Sequence, residues 1–252
     1  MRIKALIFDV DGTLADTEEA HRSAFNQAFE QHGLDWNWSK AEYSHWLKTA
    51  GGKERLRAYI DSRALPPAEH RALAERVPAL HRSKTDIYAR LVHDGRVPLR
   101  DGVTRLLDEA ESAGVRLAIA STTSRENIDA LLSVNLGEGA VSRFSAIGAG
   151  DEVQRKKPAS DIYDLVLRRL GESAAECVAI EDSFHGLTAA RGAGLFTVVT
   201  PSQWTSGEDF SAADVQLASL GSCDRPLMEL EYAFGVIRKW GWRLKSTAVG
   251  EA

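Results

Sequence analysis

Ala5-Leu6-Ile7-Phe8-Asp9-Val10-Asp11-Gly12-Thr13-Leu14 opens as an unbroken apolar run and then meets two carboxylates one residue apart. Such a run suits a strand buried on both faces of a parallel sheet. Asp9 and Asp11 then stand at its carboxyl end, and extended backbone would point both side chains the same way. Gly12 permits a sharp turn directly after them. Two like charges this close need a cation or a shared proton. Asp-x-Asp-Gly also opens calcium loops, but those continue with further oxygen ligands, and Leu14 with Ala15 do not supply them.

Downstream of this strand the periodicity turns helical. Ala24, Phe25, Ala28 and Phe29 recur at helical spacing between Glu18 and about His32, with Asp16 or Thr17 as the expected cap. Residues 33–50 carry Trp36, Trp38 and Trp46, and Ala50-Gly51-Gly52-Lys53 marks a break. A longer helix is expected from Ala68 to His93, bent near Pro78. Between 16 and 96 no strand-like apolar run occurs.

Strands and helices then alternate. Strands are expected at Val115 to Ala120, Phe144 to Ile147, Cys177 to Ile180 and Leu195 to Val199, with an edge strand at Val215 to Leu217. Helices are expected around Val103 to Ala110, Ile128 to Leu132, Ser160 to Leu170 and His185 to Ala193. This order predicts an α/β fold: a doubly wound, Rossmann-like parallel sheet formed by residues 1–15 and 97–252, with an α-helical cap domain inserted as residues 16–96.

With 252 residues, 44% of them hydrophobic, the chain can bury a large core. The net charge of -5 argues against a general nucleic-acid surface. No apolar run reaches the roughly 18 residues of a membrane span, and with Met1 leading straight into the first strand no secretory leader is expected. A cytoplasmic monomer is expected. Cys177 and Cys223 lie far apart and match no metal or redox spacing. Cys177 begins an apolar run and reads as a small buried hydrophobe.

Ligands of doubly wound sheets bind at the carboxyl ends of the strands. The polar ends here are Asp9 with Asp11, Ser121 with Thr122 and Thr123, and Glu181 with Asp182, joined by Lys157 just before Pro158. Each has a plain structural reading, as a helix cap or a solvated loop. Together they read as machinery for phosphoryl transfer. Asp9 and Asp182 can share a hard divalent cation, most naturally Mg2+. Asp9 can then attack phosphorus, and Asp11 can act as general acid and later as base. Ser121 and nearby N–H groups can hold phosphoryl oxygens, while Lys157 neutralises charge.

Asp9-Val10-Asp11-Gly12-Thr13, Ser121, Lys157-Pro158 and Glu181-Asp182-Ser183, in this order, resemble the four motifs of the haloacid dehalogenase superfamily. The resemblance covers residues 1–15 and about 97–220. It implies a Mg2+ site formed by Asp9, the backbone carbonyl of Asp11 and Asp182, with Glu181 as a further ligand. The insert resembles the cap of the subclass containing phosphoglycolate phosphatase and β-phosphoglucomutase, which opens and closes over its substrate.

Substrate choice is expected from the insert. Lys84 shares a helical stripe with Leu80, Ile87 and Leu91, where an apolar residue would be usual. It is either a snorkelling lysine or, with His81, Arg82 and Thr85, part of a site for a second phosphate. Gly51, Gly52 and Lys53 offer N–H groups and a cation in the same manner, and Glu18 with His21 share a helix face. The stretches Leu47 to Arg55 and His81 to Thr85 resemble the CbbY-type phosphatases. That resemblance implies a small sugar substrate, xylulose-1,5-bisphosphate, whose removal relieves inhibition of Rubisco in carbon fixation. A phosphosugar mutase is the alternative. A phosphorylated receiver module is a third reading, but it has no use for a helical lid of this length. The segment from about Met228, with Trp240 and Trp242, carries no functional reading.

Overall fold

A computed structural model describes residues 2–49, 51–222 and 226–240. Ala50, Cys223 and Trp242 lie outside the described residues. The chain divides into two compact units, residues 1–16 with 98–252 and residues 17–97.

The larger unit is built on a six-stranded sheet in the order β3-β2-β1-β4-β5-β6. Its strands are β1 (Ala5–Phe8), β2 (Arg116–Ala120), β3 (Phe144–Gly148), β4 (Cys177–Glu181), β5 (Phe196–Val199) and β6 (Val215–Gln216). Every pairing is parallel. A parallel sheet buries both faces under helices, and accordingly every residue of β1 is buried. Ala5 and Ile7 pack on one face with Ile162, Tyr163 and Val166 of α7 (Asp161–Leu170) and with Ala189 and Ala190 of α8 (Phe184–Gly192). Leu6 and Phe8 alternate to the other face. There α5 (Val103–Ser112) packs on β2 and against α9 (Pro226–Trp240), and α6 (Arg125–Leu136) links β2 to β3. Cys177 is buried on the first face, with Ala5 and Ile7, and burial pushes its thiol up to about 11.

The extended run expected through Asp11 stops at Phe8. Asp9 N still donates to Ile180 O, continuing the ladder by one residue. The chain then curls, with Thr13, Leu14 and Ala15 N–H groups all directed at Val10 O. Gly12 takes φ +81° in this curl, a left-handed value that costs glycine no Cβ penalty. Asp11 forms a bridge with Ala15 within this curl.

The smaller unit holds α1 (Glu18–Gln31), α2 (Lys40–Trp46), α3 (Gly52–Ser62) and α4 (Pro67–His93), with no strand among its described residues. Its core is aromatic: Phe25 and Phe29 of α1 meet Trp38, whose ring also lies against Tyr43, Trp46 and Tyr59. Ser39 and Glu42 form a reciprocal capping box at the start of α2. At α1 the expected cap is absent, because Thr17 is already helical in backbone and its side chain makes no capping bond. Helix α4 continues through Pro78.

At the C-terminal end, Leu227, Leu230, Ala233 and Phe234 of α9 are buried, with Phe234 edge-on to Phe196 of β5. Helix α9 thus covers α5 and β5, which apolar spacing within it accounts for.

Gly102 precedes α5 with φ +81°, and a Cβ there would lie 2.2 Å from the carbonyl carbon of Leu220. We expect Gly102→Ala to lower stability by about 2 kcal/mol or more, since left-handed strain alone costs about 1–2 kcal/mol. Urea unfolding of both proteins measures this.

Candidate active site

The sheet register brings the polar ends level. Phe8 pairs with Ile119 of β2 and with Ile180 of β4, so Asp9 emerges beside Ala120-Ser121 and Glu181-Asp182. This is where the strand order turns back on itself, the position at which open α/β sheets form a crevice.

Lys157, from the loop before α7, closes the cluster. Its Nζ donates to Asp9 Oδ1 at 2.6 Å and to Glu181 Oε1 at 2.6 Å. All three groups are buried, and so is Asp182. Burial pushes the Asp9 carboxyl up to about 7, with Glu181 and Asp11 raising it further and Lys157 opposing the rise. Burial also works against the Lys157 charge, but Asp9 and Glu181 together hold that ammonium above its ordinary value. Three buried carboxylates, two of them bonded to one lysine, leave an acidic excess in a dry place.

A hard cation fits these donors. One oxygen each from Asp9, Glu181 and Asp182 lie within 4.8 Å of one another. Glu181 Oε2 is buried without a hydrogen-bond partner. Gly12 is required here for a second reason, because a Cβ would lie 2.1 Å from Asp182 Oδ2. All-oxygen donors of this charge suit Mg2+.

Ser121 is buried after β2, its N–H bonded to Gly148 O and its Oγ accepting from Thr123 N. Thr123 accepts from Asn127 of α6 through its own hydroxyl, and Ser124 caps that helix. Thr122 backs onto Gly150, where a Cβ would lie 2.0 Å from Thr122 O. Ser121 to Thr123 thus form a tight turn at the amino end of α6, where backbone N–H groups favour anions.

Three supporting residues escaped the sequence reading. Tyr163 Oη donates to Glu181 Oε1 at 2.5 Å, and burial together with Glu181 raises the phenol well above its ordinary pKa. A tyrosine on the apolar stripe of α7 reads as core, although a buried hydroxyl needs a partner. Thr205 Oγ1 donates to Asp182 Oδ2 at 3.2 Å. It lies in the loop after β5, a fifth strand end that the strand-end rule would have flagged. Arg100 donates to Gly12 O, to Thr200 O at 2.8 Å and to Pro201 O at 2.9 Å, tying the Asp11 turn to that same loop. An isolated arginine before a helix carries no such signal.

Within the helical unit, Lys84 is buried, its Nζ 2.7 Å from His21 Nδ1 and about equally placed over the Phe25 and Tyr88 rings. Arg82 is exposed on another face of α4, so the structure does not gather His81, Arg82, Lys84 and Thr85 into one cluster. Two residues apart on a helix, Arg82 and Lys84 cannot share a face. Thr85 Oγ1 donates to His81 O. Instead His81 adjoins the start of α3, where a Cβ on Gly52 would lie 2.7 Å from its Nε2. Gly52 is therefore a neighbour of His81, and Lys53, next to it in the chain, is exposed. Glu18 accepts from Tyr43 Oη at 2.7 Å, and Tyr43 Oη accepts from buried Arg55 at 2.8 Å.

Known proteins share this architecture. The family model for haloacid dehalogenase-like hydrolases matches residues 3–194. CbbY from Rhodobacter capsulatus is 48% identical over 222 residues, spanning 88% of this chain and 96% of its own. The crystal structure of a CbbY variant from Rhodobacter sphaeroides in complex with xylulose-1,5-bisphosphate superposes with a TM-score of 0.80 at 43% identity, over 88% of this chain and 96% of that one. β-Phosphoglucomutase from Clostridium difficile, at 21% identity and a TM-score of 0.70, shares the fold over 94% of this chain and all of its own. The chain belongs to the haloacid dehalogenase-like hydrolases, with CbbY among its relatives, and is a phosphatase.

Proposed function

We propose that this phosphatase is Mg2+-dependent and hydrolyses xylulose-1,5-bisphosphate through an aspartyl-phosphate on Asp9. The observation that carries the chemistry is the buried cluster of Asp9, Lys157, Glu181 and Asp182 at the ends of β1 and β4. The substrate reading is supported by the likeness to CbbY, a variant of which was crystallised with that bisphosphate.

Asp9, Asp182 and Glu181, with the Asp11 carbonyl, would hold the cation. Mg2+ supplies charge neutralisation there, both for the crowded carboxylates and for phosphoryl oxygens. Asp9 attacks phosphorus and the phosphorus–oxygen bond to the sugar breaks. Asp11, at the Gly12 turn, gives its proton to the leaving oxygen. It then takes a proton from the water that hydrolyses the acyl-phosphate. Ser121 and the N–H groups of its turn hold phosphoryl oxygens, as does the Lys157 ammonium. In the helical unit, Lys53 beside His81 and the exposed Arg82 are proposed to read the second phosphate. Glu18, His21, Lys84 and the Tyr43–Arg55 pair are proposed to read the sugar.

The test is inorganic phosphate release from a panel of sugar mono- and bisphosphates, with release expected to be fastest from xylulose-1,5-bisphosphate. Isomerisation of β-glucose 1-phosphate in the presence of a bisphosphate activator, without phosphate release, would establish a mutase instead. Asp9→Asn is expected to abolish turnover with an unchanged far-UV spectrum, and chelation of Mg2+ should do so reversibly. Retained activity in Asp9→Asn removes Asp9 as nucleophile. Ser121→Ala should lower kcat about 100-fold or more. Lys53→Ala and Arg82→Ala should reduce kcat/KM for the bisphosphate at least tenfold more than for a small monophosphate, and equal losses would exclude a phosphate role for them.

A further inference from the structure

Tyr163 sits among apolar side chains between α7 and the sheet, yet its hydroxyl is directed at a single carboxylate oxygen, Glu181 Oε1, at 2.5 Å. Lys157 Nζ donates to the same oxygen at 2.6 Å, and lies 5.1 Å from the Tyr163 ring centroid. Two donors thus converge on Oε1 from different directions. The other oxygen, Oε2, is buried and without a partner. It lies against Gly186 in the first turn of α8, where a Cβ would come within 1.9 Å of it.

A carboxylate turns easily about its terminal bond. Held by Lys157 alone, Glu181 could offer both oxygens to the ammonium and neither in a fixed direction. A second donor fixed on α7 removes that freedom. An unpaired buried carboxylate oxygen costs free energy unless something else completes it, and a carboxylate oxygen of Glu181 lies within 4.8 Å of oxygens of Asp9 and Asp182.

We propose that Tyr163 is a positioning residue: by occupying Glu181 Oε1 together with Lys157, it leaves Oε2 aligned for the cation shared with Asp9 and Asp182. This rests on the Mg2+ reading given above. Partners of metal-binding carboxylates typically contribute about 10–100-fold in metal affinity. Because phenylalanine preserves the ring packing and removes only the hydroxyl, Tyr163→Phe isolates the contribution.

Mg2+ is titrated calorimetrically into the metal-free wild type, Tyr163→Phe, Glu181→Gln and the double variant, with far-UV spectra as a check on folding. Tyr163→Phe is expected to raise the Mg2+ Kd about tenfold or more. It should add nothing once Glu181 has been replaced. An unchanged Kd in Tyr163→Phe overturns the assignment. A loss of the same size in the Glu181→Gln background also overturns it, since the tyrosine would then act through general packing. A wild type that takes up no Mg2+ overturns the metal reading itself, an outcome distinct from equal uptake by wild type and variant.

Discussion

One buried ammonium holds the larger unit's chemistry together. Lys157 bridges Asp9 at the end of β1 and Glu181 at the end of β4, two strands joined side by side. Removing such a charge leaves uncompensated buried carboxylates, which commonly costs about 3–5 kcal/mol. The sheet accordingly has to deliver both acids to the same point, and the loop before α7 has to return the lysine to it. Every other polar residue of the cluster is arranged around that bridge.

The supports come from places remote in sequence. Arg100, just before α5, gathers backbone oxygens from the Gly12 turn and from the loop after β5. That loop returns a hydroxyl to Asp182 through Thr205, and an acceptor to the start of α8 through Glu208, which binds Phe184 N. Backbone oxygens and hydroxyls are suited to this work because they orient a charged group without adding charge. The turn carrying Asp11 and the loop carrying Thr205 are thereby braced by one guanidinium.

How much of this was legible follows from where the signals lie. The parallel sheet could be read because buried strands are near-continuous apolar runs, and the helices between them show clean apolar stripes, as in Val103, Leu106, Leu107 and Ala110. Asp9, Glu181 and Asp182 could be read as neighbours because a polar residue ending an apolar run is conspicuous, whereas Lys157, in a polar loop, was legible only as part of the motif Lys157-Pro158. The turn at Gly12 was legible, but the fan of N–H groups on Val10 O was not, since it is a property of backbone and not of residue type. Tyr163 was hidden because its ring satisfies the apolar pattern while its hydroxyl does something else. In the helical unit the stripe containing Lys84 was visible, but its partner His21 lies on another helix. A stripe states which face is buried and says nothing of what waits there.

The position of β1 has a consequence for how the chain is made. It is the first strand synthesised and the central strand of the sheet, yet its two neighbours begin only at Arg116 and Cys177. Until those residues leave the ribosome, Ala5 to Phe8 is an apolar segment with both edges unpaired, the kind of template on which chains stick to one another. The helices of residues 17–97 have their own aromatic core, so they can form while β1 waits. The inserted unit thus also separates the strand's synthesis from its pairing.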